Sequence, residues 1–170
     1  MSIADTDLGG LDLREALWPL EAAPAEAASK RCLLCEIGNG HFAVPIEYLR
    51  GVEPYATVTP LPQLPAWVVG VTNVRGTVVG VVDLARFLAL GDTIAGHGRL
   101  LICGAGGRQV ALAVAAARNV LDYPPSALLE AAGVTGRVGR YVAALVPTDA
   151  TAVPLLDLGR LLADDELVRG

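Results

Sequence analysis

Residues 68–90 constrain the fold of this chain more than any other stretch of its sequence. Two runs rich in β-branched residues, Val68–Val74 and Thr77–Val82, favour strands because stiff branched side chains suit a pleated surface. They are joined through Asn73-Val74-Arg75-Gly76, in which Asn and Gly tolerate the positive φ of a tight connection. The pattern therefore predicts a β-hairpin that presents Arg75 at its tip.

A short helix is predicted directly after this hairpin. Asp83 is a good N-cap residue, and apolar residues follow it at helical spacing. The segment Gly80–Leu88 is matched in residue class, position by position, by Pro154–Leu162 in the second half of the chain, so that Asp83 corresponds to Asp157. Two halves that each end in this way predict two similar β units of about five strands, and small barrels are the usual way to avoid open edges.

The remaining strands follow from short apolar runs bounded by Gly, Pro and Asn. Gly91–Gly98 is predicted as a loop, Ser126–Ala132 as one or two helical turns and Asp157–Leu162 as a second short helix. The strands are predicted at Cys32–Ile37, His41–Ile46, Leu49–Val58, Arg99–Cys103, Gln109–Val114, Val120–Tyr123, Tyr141–Val146 and Ala150–Leu156.

Composition excludes several classes of protein. The chain is 53% hydrophobic and 18% charged, which supplies a core and argues against global disorder. It has no uninterrupted apolar run of about 18 residues, so no membrane insertion is predicted. The N-terminus lacks the features of a signal peptide, and three cysteines, an odd number, fit a reducing compartment, so a cytoplasmic location is expected.

The net charge of −5 is concentrated at the N-terminus. Residues 1–28 hold six acids and one base, and the remaining twelve acids and twelve bases cancel. A neutral body without basic clusters predicts no nucleic-acid partner. Residues 1–30 are predicted as an acidic extension, in which Leu8–Leu20 is either a short amphipathic helix or a frayed terminus and Glu21–Ser29 is a linker.

The residues that most often carry chemistry do not form a convincing site. In a strand, Cys32 and Cys35 would point to opposite faces, and only Cys103, His41 and His97 remain as further soft ligands. We therefore expect no catalytic residue, no metal and no cofactor. A small thiol- or metal-dependent enzyme using the three cysteines and a small-ligand-binding β module remain as alternatives.

Arg75 is the one polar residue for which a functional role is predicted. A planar, charged side chain beside an apolar ribbon is typical of an interface anchor. The alternative is a surface arginine that bonds to an acid or a carbonyl of its own chain. The residues themselves do not decide between the two.

The run from Gly70 to Leu84, with its Gly-x-x-Asn-x-Arg-Gly hairpin and Val-Val-Asp-Leu helix start, resembles the CheW-like family of chemotaxis coupling proteins. The resemblance extends over about Cys32–Leu162 and includes Phe42–Val52 and the Thr59–Pro62 segment. It implies a mainly β fold of two five-stranded SH3-like barrels over residues 31–163, followed by a polar C-terminal end at 164–170. Trp67 and the N-terminal extension are more similar to coupling proteins of pilus or twitching systems.

The resemblance also implies a function and a set of contact residues. Such proteins are non-enzymatic adaptors that bridge the regulatory domain of a CheA-type histidine kinase and the cytoplasmic tip of methyl-accepting receptors. The hairpin residues Asn73, Arg75 and Gly76 fall on the family's sensitive turn. The residues expected on the apolar, receptor-facing groove are Leu49, Val52, Leu100 and Ala117.

Two departures from the family pattern concern this surface. Gly51 stands where many members carry an acid, which puts a charged contact with the receptor in doubt. Ala115 replaces a frequent Asp in the second half of the chain, within a run of unusually small residues.

Overall fold

The computed structural model describes residues 28–93 and 97–169, so the predictions for the N-terminal extension lie outside the described residues except at its last three positions. Ten strands and four short helices make up the described chain. In order they are β1 (Lys30–Ile37), β2 (Gly40–Pro45), β3 (Leu49–Pro54), β4 (Val68–Val74), β5 (Thr77–Asp83), α1 (Leu84–Phe87), β6 (Arg99–Ala105), β7 (Arg108–Val114), β8 (Ala116–Tyr123), α2 (Gly136–Gly139), β9 (Val142–Pro147), β10 (Ala152–Leu156), α3 (Leu158–Ala163) and α4 (Glu166–Arg169).

The strands form two five-stranded sheets, as predicted, but the sheets do not follow the two halves of the chain. Sheet A has the order β8-β1-β2-β10-β9 and sheet B the order β3-β6-β7-β5-β4. Each sheet therefore takes strands from both halves. The expectation that each half closes into its own unit is wrong in this respect, because the third, fourth and fifth strands of each half join the first two of the other.

The two sheets are related by a simple rule. Adding five to each strand number of sheet A, and counting onward from β10 to β1, reproduces the order of sheet B. The parallel pair of β10 with β2 corresponds in this way to the parallel pair of β5 with β7. The internal repeat is thus a real structural repeat in which the two halves exchange strands.

Backbone hydrogen bonds repeat at the two helix starts. The amide of Asp83 donates to the carbonyl of Trp67 over 2.7 Å, and the amide of Asp157 donates to that of Tyr141 over 2.6 Å. Each aspartate also caps its helix through its side chain, accepting from the amide of Arg86 and of Arg160 respectively. Both helix starts are therefore confirmed, with the same contacts in each.

A second correspondence, in which Cys35 matches Cys103, relates the first three strands of each half. Cys35 pairs with Phe42 across β1 and β2, and Cys103 pairs with Val110 across β6 and β7. On the other side, Cys35 pairs with Ala117 and Cys103 pairs with Leu49. The β-bulges next to these last two pairings also correspond, so these strands share one register in the two sheets.

Three apolar clusters fill the molecule. One lies inside sheet A and includes Cys32 and Val146, and another lies inside sheet B and includes Leu100 and Val81. The third and largest contains Phe87 and takes residues from both sheets, so it joins them. Each sheet thus curls around its own interior, and the apolar sides facing each other form the common core.

Several details differ from the predicted elements. Strand β3 ends at Pro54 rather than at Val58. Only Pro125–Ala127 forms a helical turn, of the 3-10 type, within the segment predicted at 126–132, and Leu129 instead pairs with Leu145. Strand β8 begins at Ala116 rather than Val120, since Ala116 and Ala117 already pair with Glu36 and Cys35 of β1. The C-terminal segment is not only polar, since Leu167 is 1% exposed and belongs to the largest cluster.

None of the helices in the described part of the chain is long and apolar enough to span a bilayer.

Candidate functional site

The predicted hairpin is present, and its turn holds Arg75 in an uncommon conformation. Val74 pairs with Thr77, so Arg75 and Gly76 are the two central residues, with φ of 50° and 86°. Two positive φ values define a type I′ turn, whose twist matches that of the flanking strands. The side chain of Asn73 accepts a 2.8 Å hydrogen bond from the amide of Gly76 and fixes the turn.

Arg75 is exposed and also has a partner in its own chain. Its Nη2 lies 3.0 Å from Oε1 of Glu53, and 77% of the arginine side chain is accessible, against 31% for the glutamate. The internal bond to an acid is therefore present, while most of the arginine side chain faces solvent. An exposed pair of this kind contributes about 0.2–1 kcal/mol at most.

This ion pair links opposite edges of sheet B. Glu53 lies on β3 and Arg75 on the β4–β5 turn, and β3 and β4 are the two outer strands of that sheet. Thr72 of β4 makes a second link, donating to the carbonyl of Thr57 over 2.8 Å. The sheet therefore curls until its edges approach, as the predicted barrel requires.

Glu53 supplies a carboxylate close to position 51, where this chain has glycine and many relatives of the resembled family carry an acid. Gly51 and Glu53 are two residues apart on β3, where alternate residues share a face. A Cβ on Gly51 would lie 3.7 Å from the carboxylate of Glu53 and 3.9 Å from Arg75 Nη2. The carboxylate of Glu53 thus lies where a side chain at position 51 would be.

The four predicted groove residues do not form one surface. Val52 is 42% exposed, and Leu49 and Ala117 are half-buried against the common core. Leu100 is fully buried inside sheet B and cannot contact a partner, which corrects its assignment. Leu49 and Ala117 occupy equivalent places on two edge strands. Leu49 lies on β3 at the edge of sheet B, and Ala117 lies on β8 at the edge of sheet A.

Two open clefts lie beside the hairpin. The smaller, of about 130 Å³, includes Glu53 and Arg75 in its wall, and the larger, of about 590 Å³, includes Val78 and Arg108. Both clefts are lined by Arg50, Thr77 and Gln109, so the two are neighbours. Val78, which lines the larger cleft, is an apolar residue with 67% of its surface exposed.

The cysteines have the properties of core residues. Cys32, Cys35 and Cys103 are free and buried. Cys32 belongs to the interior of sheet A and Cys35 to the common core, consistent with opposite faces of β1. Burial raises the pKa of Cys35 and of Cys103 to about 12, which opposes formation of the reactive thiolate. Within residues 28–93 and 97–169, no three His, Cys, Asp or Glu side chains are grouped as a metal would need.

Two residues of this surface, Glu53 and Arg50, were not predicted from the sequence. Glu53 was not singled out, although it shares a strand face with the position that lacks the acid. Arg50 was also missed, and the signal that would have found it is the spacing from Cys35 to Cys103, because the same spacing separates Arg50 from Arg118.

Comparisons with known proteins agree with this architecture. A family model described as the CheW-like domain matches residues 31–166. Protein FrzA of Myxococcus xanthus is 37% identical over 98 residues, 57% of this chain, and the match spans 61% of FrzA, less than two thirds of its length. The chemotaxis protein CheW of Klebsiella aerogenes is 24% identical over 144 residues, 84% of this chain and 87% of that protein.

A solved structure shows the same fold. The scaffolding protein TtCheW from Thermoanaerobacter tengcongensis superposes with a TM-score of 0.72 at 20% identity, covering 82% of this chain and 92% of that one.

Proposed function

The chain belongs to the CheW-like domain family, and on that premise we propose that it couples a CheA-type histidine kinase to methyl-accepting chemoreceptors. Proteins of this family are scaffold adaptors of chemotaxis signalling and not enzymes. The family match over residues 31–166 is the observation that carries the proposal. The protein would act in the cytoplasm and be recruited to receptor arrays at the membrane.

The hairpin supports a partner-binding role for Asn73, Arg75 and Gly76. The I′ turn, fixed by the bond to Asn73, presents the guanidinium to solvent, so little backbone freedom remains to be lost on binding. The non-glycine residue at positive φ costs energy that the fold must supply, and such positions cluster at functional sites. Exposed Val78, which lines the cleft next to that of Arg75, provides apolar surface near the charge, the usual composition of an interface hot spot.

We assign this face of sheet B to the receptor tip. Leu49 and Ala117 lie at equivalent places on the edge strands of sheets B and A and would be further apolar contacts, one in each sheet. An amphipathic receptor helix would pack its apolar side on exposed Val78 and place a polar group near Arg75. The kinase would bind, through its regulatory domain, to another part of the two barrels. Gly51 lies on edge strand β3, and Ala115 directly precedes edge strand β8. Both departures from the family pattern are therefore at sheet edges, where contacts with the receptor or the kinase would form.

The test is a calorimetric titration of the protein with the regulatory domain of a CheA-type kinase and with a receptor-tip fragment from the same cell. Arg75→Ala is expected to keep the fold and lower receptor affinity about tenfold. Glu53→Gln is the matched control, because it breaks the internal ion pair and leaves the guanidinium in place. Arg140→Ala, which removes an exposed arginine elsewhere, is the second control.

The two variants separate the two roles of Arg75. If Arg75 binds the receptor, Glu53→Gln keeps or raises the affinity while Arg75→Ala lowers it. Equal losses in both variants would mean that Arg75 acts only by holding Glu53. Failure of the unaltered protein to bind either partner would overturn the coupling function itself.

A further inference from the structure

Arg50 and Arg118 occupy equivalent positions in the two sheets but have different neighbours. Arg118 on β8 pairs with Glu36 on β1, donating to the carboxylate from both Nε and Nη2. The correspondence that relates Cys35 to Cys103 places Gly104 where sheet A has Glu36. Arg50 therefore lies over a glycine: a Cβ on Gly104 would be 3.2 Å from Arg50 Nε.

The missing carboxylate leaves a positively charged cleft. Arg50 and Arg108 both line the larger cleft, and no acid among the described residues lies within ion-pair distance of either. Thr77 and Gln109 add polar groups to its wall. The cleft thus combines two arginines, hydrogen-bonding side chains and the open place that a glutamate fills in the other sheet.

We propose that this cleft, the Arg50 slot, receives a carboxylate from the receptor helix. That carboxylate would pair with Arg50 in sheet B as Glu36 pairs with Arg118 in sheet A. The inference rests on the proposed function, since it names the chemistry with which the receptor binds. Arginine suits the role because its planar fork can donate two bonds to one carboxylate, as Arg118 does to Glu36.

The receptor is the occupant because of where the slot lies. It shares Arg50, Thr77 and Gln109 with the smaller cleft at Arg75, so one ligand can contact both arginine sites. Exposed Val78 also lines the slot and adds apolar surface beside the arginines. An amphipathic helix with an acidic residue beside its apolar face complements this arrangement.

The slot can be filled from within the chain. Gly104 has no left-handed φ, and the atom nearest to a new Cβ is in the flexible side chain of Arg50. Gly104→Glu would therefore restore the internal pair seen between Glu36 and Arg118, and Gly104→Gln is its uncharged match. Calorimetric titration with the receptor-tip fragment should show affinity at least about fivefold lower for Gly104→Glu and within about twofold of the original for Gly104→Gln.

Two further measurements decide the occupant. Arg50→Gln should weaken receptor binding and reduce its salt dependence, whereas Arg140→Gln should not. Binding to the kinase regulatory domain should be the same in all four variants. Equal receptor affinities throughout, equal losses for Gly104→Glu and Gly104→Gln, or a loss confined to the kinase would each overturn the proposal. Absence of receptor binding by the unaltered protein would instead overturn the proposed function, and this assignment with it.

Discussion

Trp67 and Tyr141 occupy the same position in the two halves of the chain and meet on either side of one phenylalanine. The ring of Phe87 lies 5.7 Å from that of Trp67 and 5.5 Å from that of Tyr141, measured between centroids. The guanidinium of Arg137 lies over both Trp67 and Phe87, at 4.8 and 4.5 Å from their centroids. The seam between the halves is thus an aromatic cluster covered by one cation.

Asp83 and Asp157 are equivalent N-caps that should differ in their effect on stability. Asp83 is 2% exposed and also accepts from the amide and hydroxyl of Thr93, whereas Asp157 is half-buried and makes only the cap bond through its side chain among the described residues. Asp83→Ala should lower the free energy of unfolding by about 3 kcal/mol, since it leaves buried donors unpaired. Asp157→Ala should cost about 1 kcal/mol. Urea denaturation measures both, and equal effects would contradict the role of Thr93.

Local features of this fold were predictable because they depend on neighbouring residues. The β4–β5 hairpin, its turn and both capped helices follow from β-branched runs, Asn and Gly, and Asp at the N-cap. The exchange of strands was not predictable from these patterns, because an apolar alternation does not say which strand lies beside it. The same limit explains Leu100, since an apolar residue inside a barrel and one in a groove look alike in a sequence.

The contacts of Arg75 and Arg50 depend on distance in space rather than in sequence. Arg75 and Glu53 meet because sheet B curls, and Arg50 lacks an acid because residue 104 is glycine. The second of these was accessible in principle, since aligning the halves on Cys35 and Cys103 places Gly104 against Glu36. Aligning Asp83 with Asp157 does not place Gly104 against Glu36, because the spacing between the two aspartates is longer than that between Cys35 and Cys103.

Leu167 should be needed for stability although it follows the last predicted element. It is 1% exposed, and next to it the carbonyl of Glu166 accepts from the indole of Trp67 over 3.1 Å. Leu167→Ala should lower the free energy of unfolding by about 2–3 kcal/mol through the cavity it leaves. Exposed Asp165→Ala should change it by less than about 0.5 kcal/mol. Urea titrations followed by Trp67 fluorescence in a Trp18→Phe background measure both; no loss for Leu167→Ala would contradict its place in the core.

The hydrogen bond between Tyr141 and Asp164 should make stability depend on pH. The hydroxyl donates to the carboxylate, which lowers the pKa of Asp164 from 3.8, while burial first and this bond second raise the pKa of Tyr141 to about 12. The Asp164 contribution is therefore present above pH 3.8 and is lost as the pH falls through the lowered value. The Tyr141 contribution is present below pH 10, its ordinary pKa, and is lost as the pH rises towards 12.

Tyr141→Phe should consequently cost about 1 kcal/mol near pH 7, and the difference from the original protein should shrink below pH 4. Tyr123→Phe is the control, because Tyr123 is also buried and makes no bond to a carboxylate among the described residues. Urea midpoints between pH 3 and 7 provide the measurement. A difference for Tyr141→Phe that stays constant across this range would contradict the coupling.

The exchange of strands predicts that neither half of the chain folds alone. Residues 1–98 contain β1 and β2 of sheet A and β3 to β5 of sheet B, and residues 99–170 supply all the strands between and beside them. Each fragment alone would therefore leave open strand edges and a divided core, so its circular dichroism should show no cooperative unfolding. Mixing the two should restore a cooperative transition and the far-UV spectrum of the intact protein. Cooperative folding of either fragment by itself would mean that its strands can close into a unit without the other half.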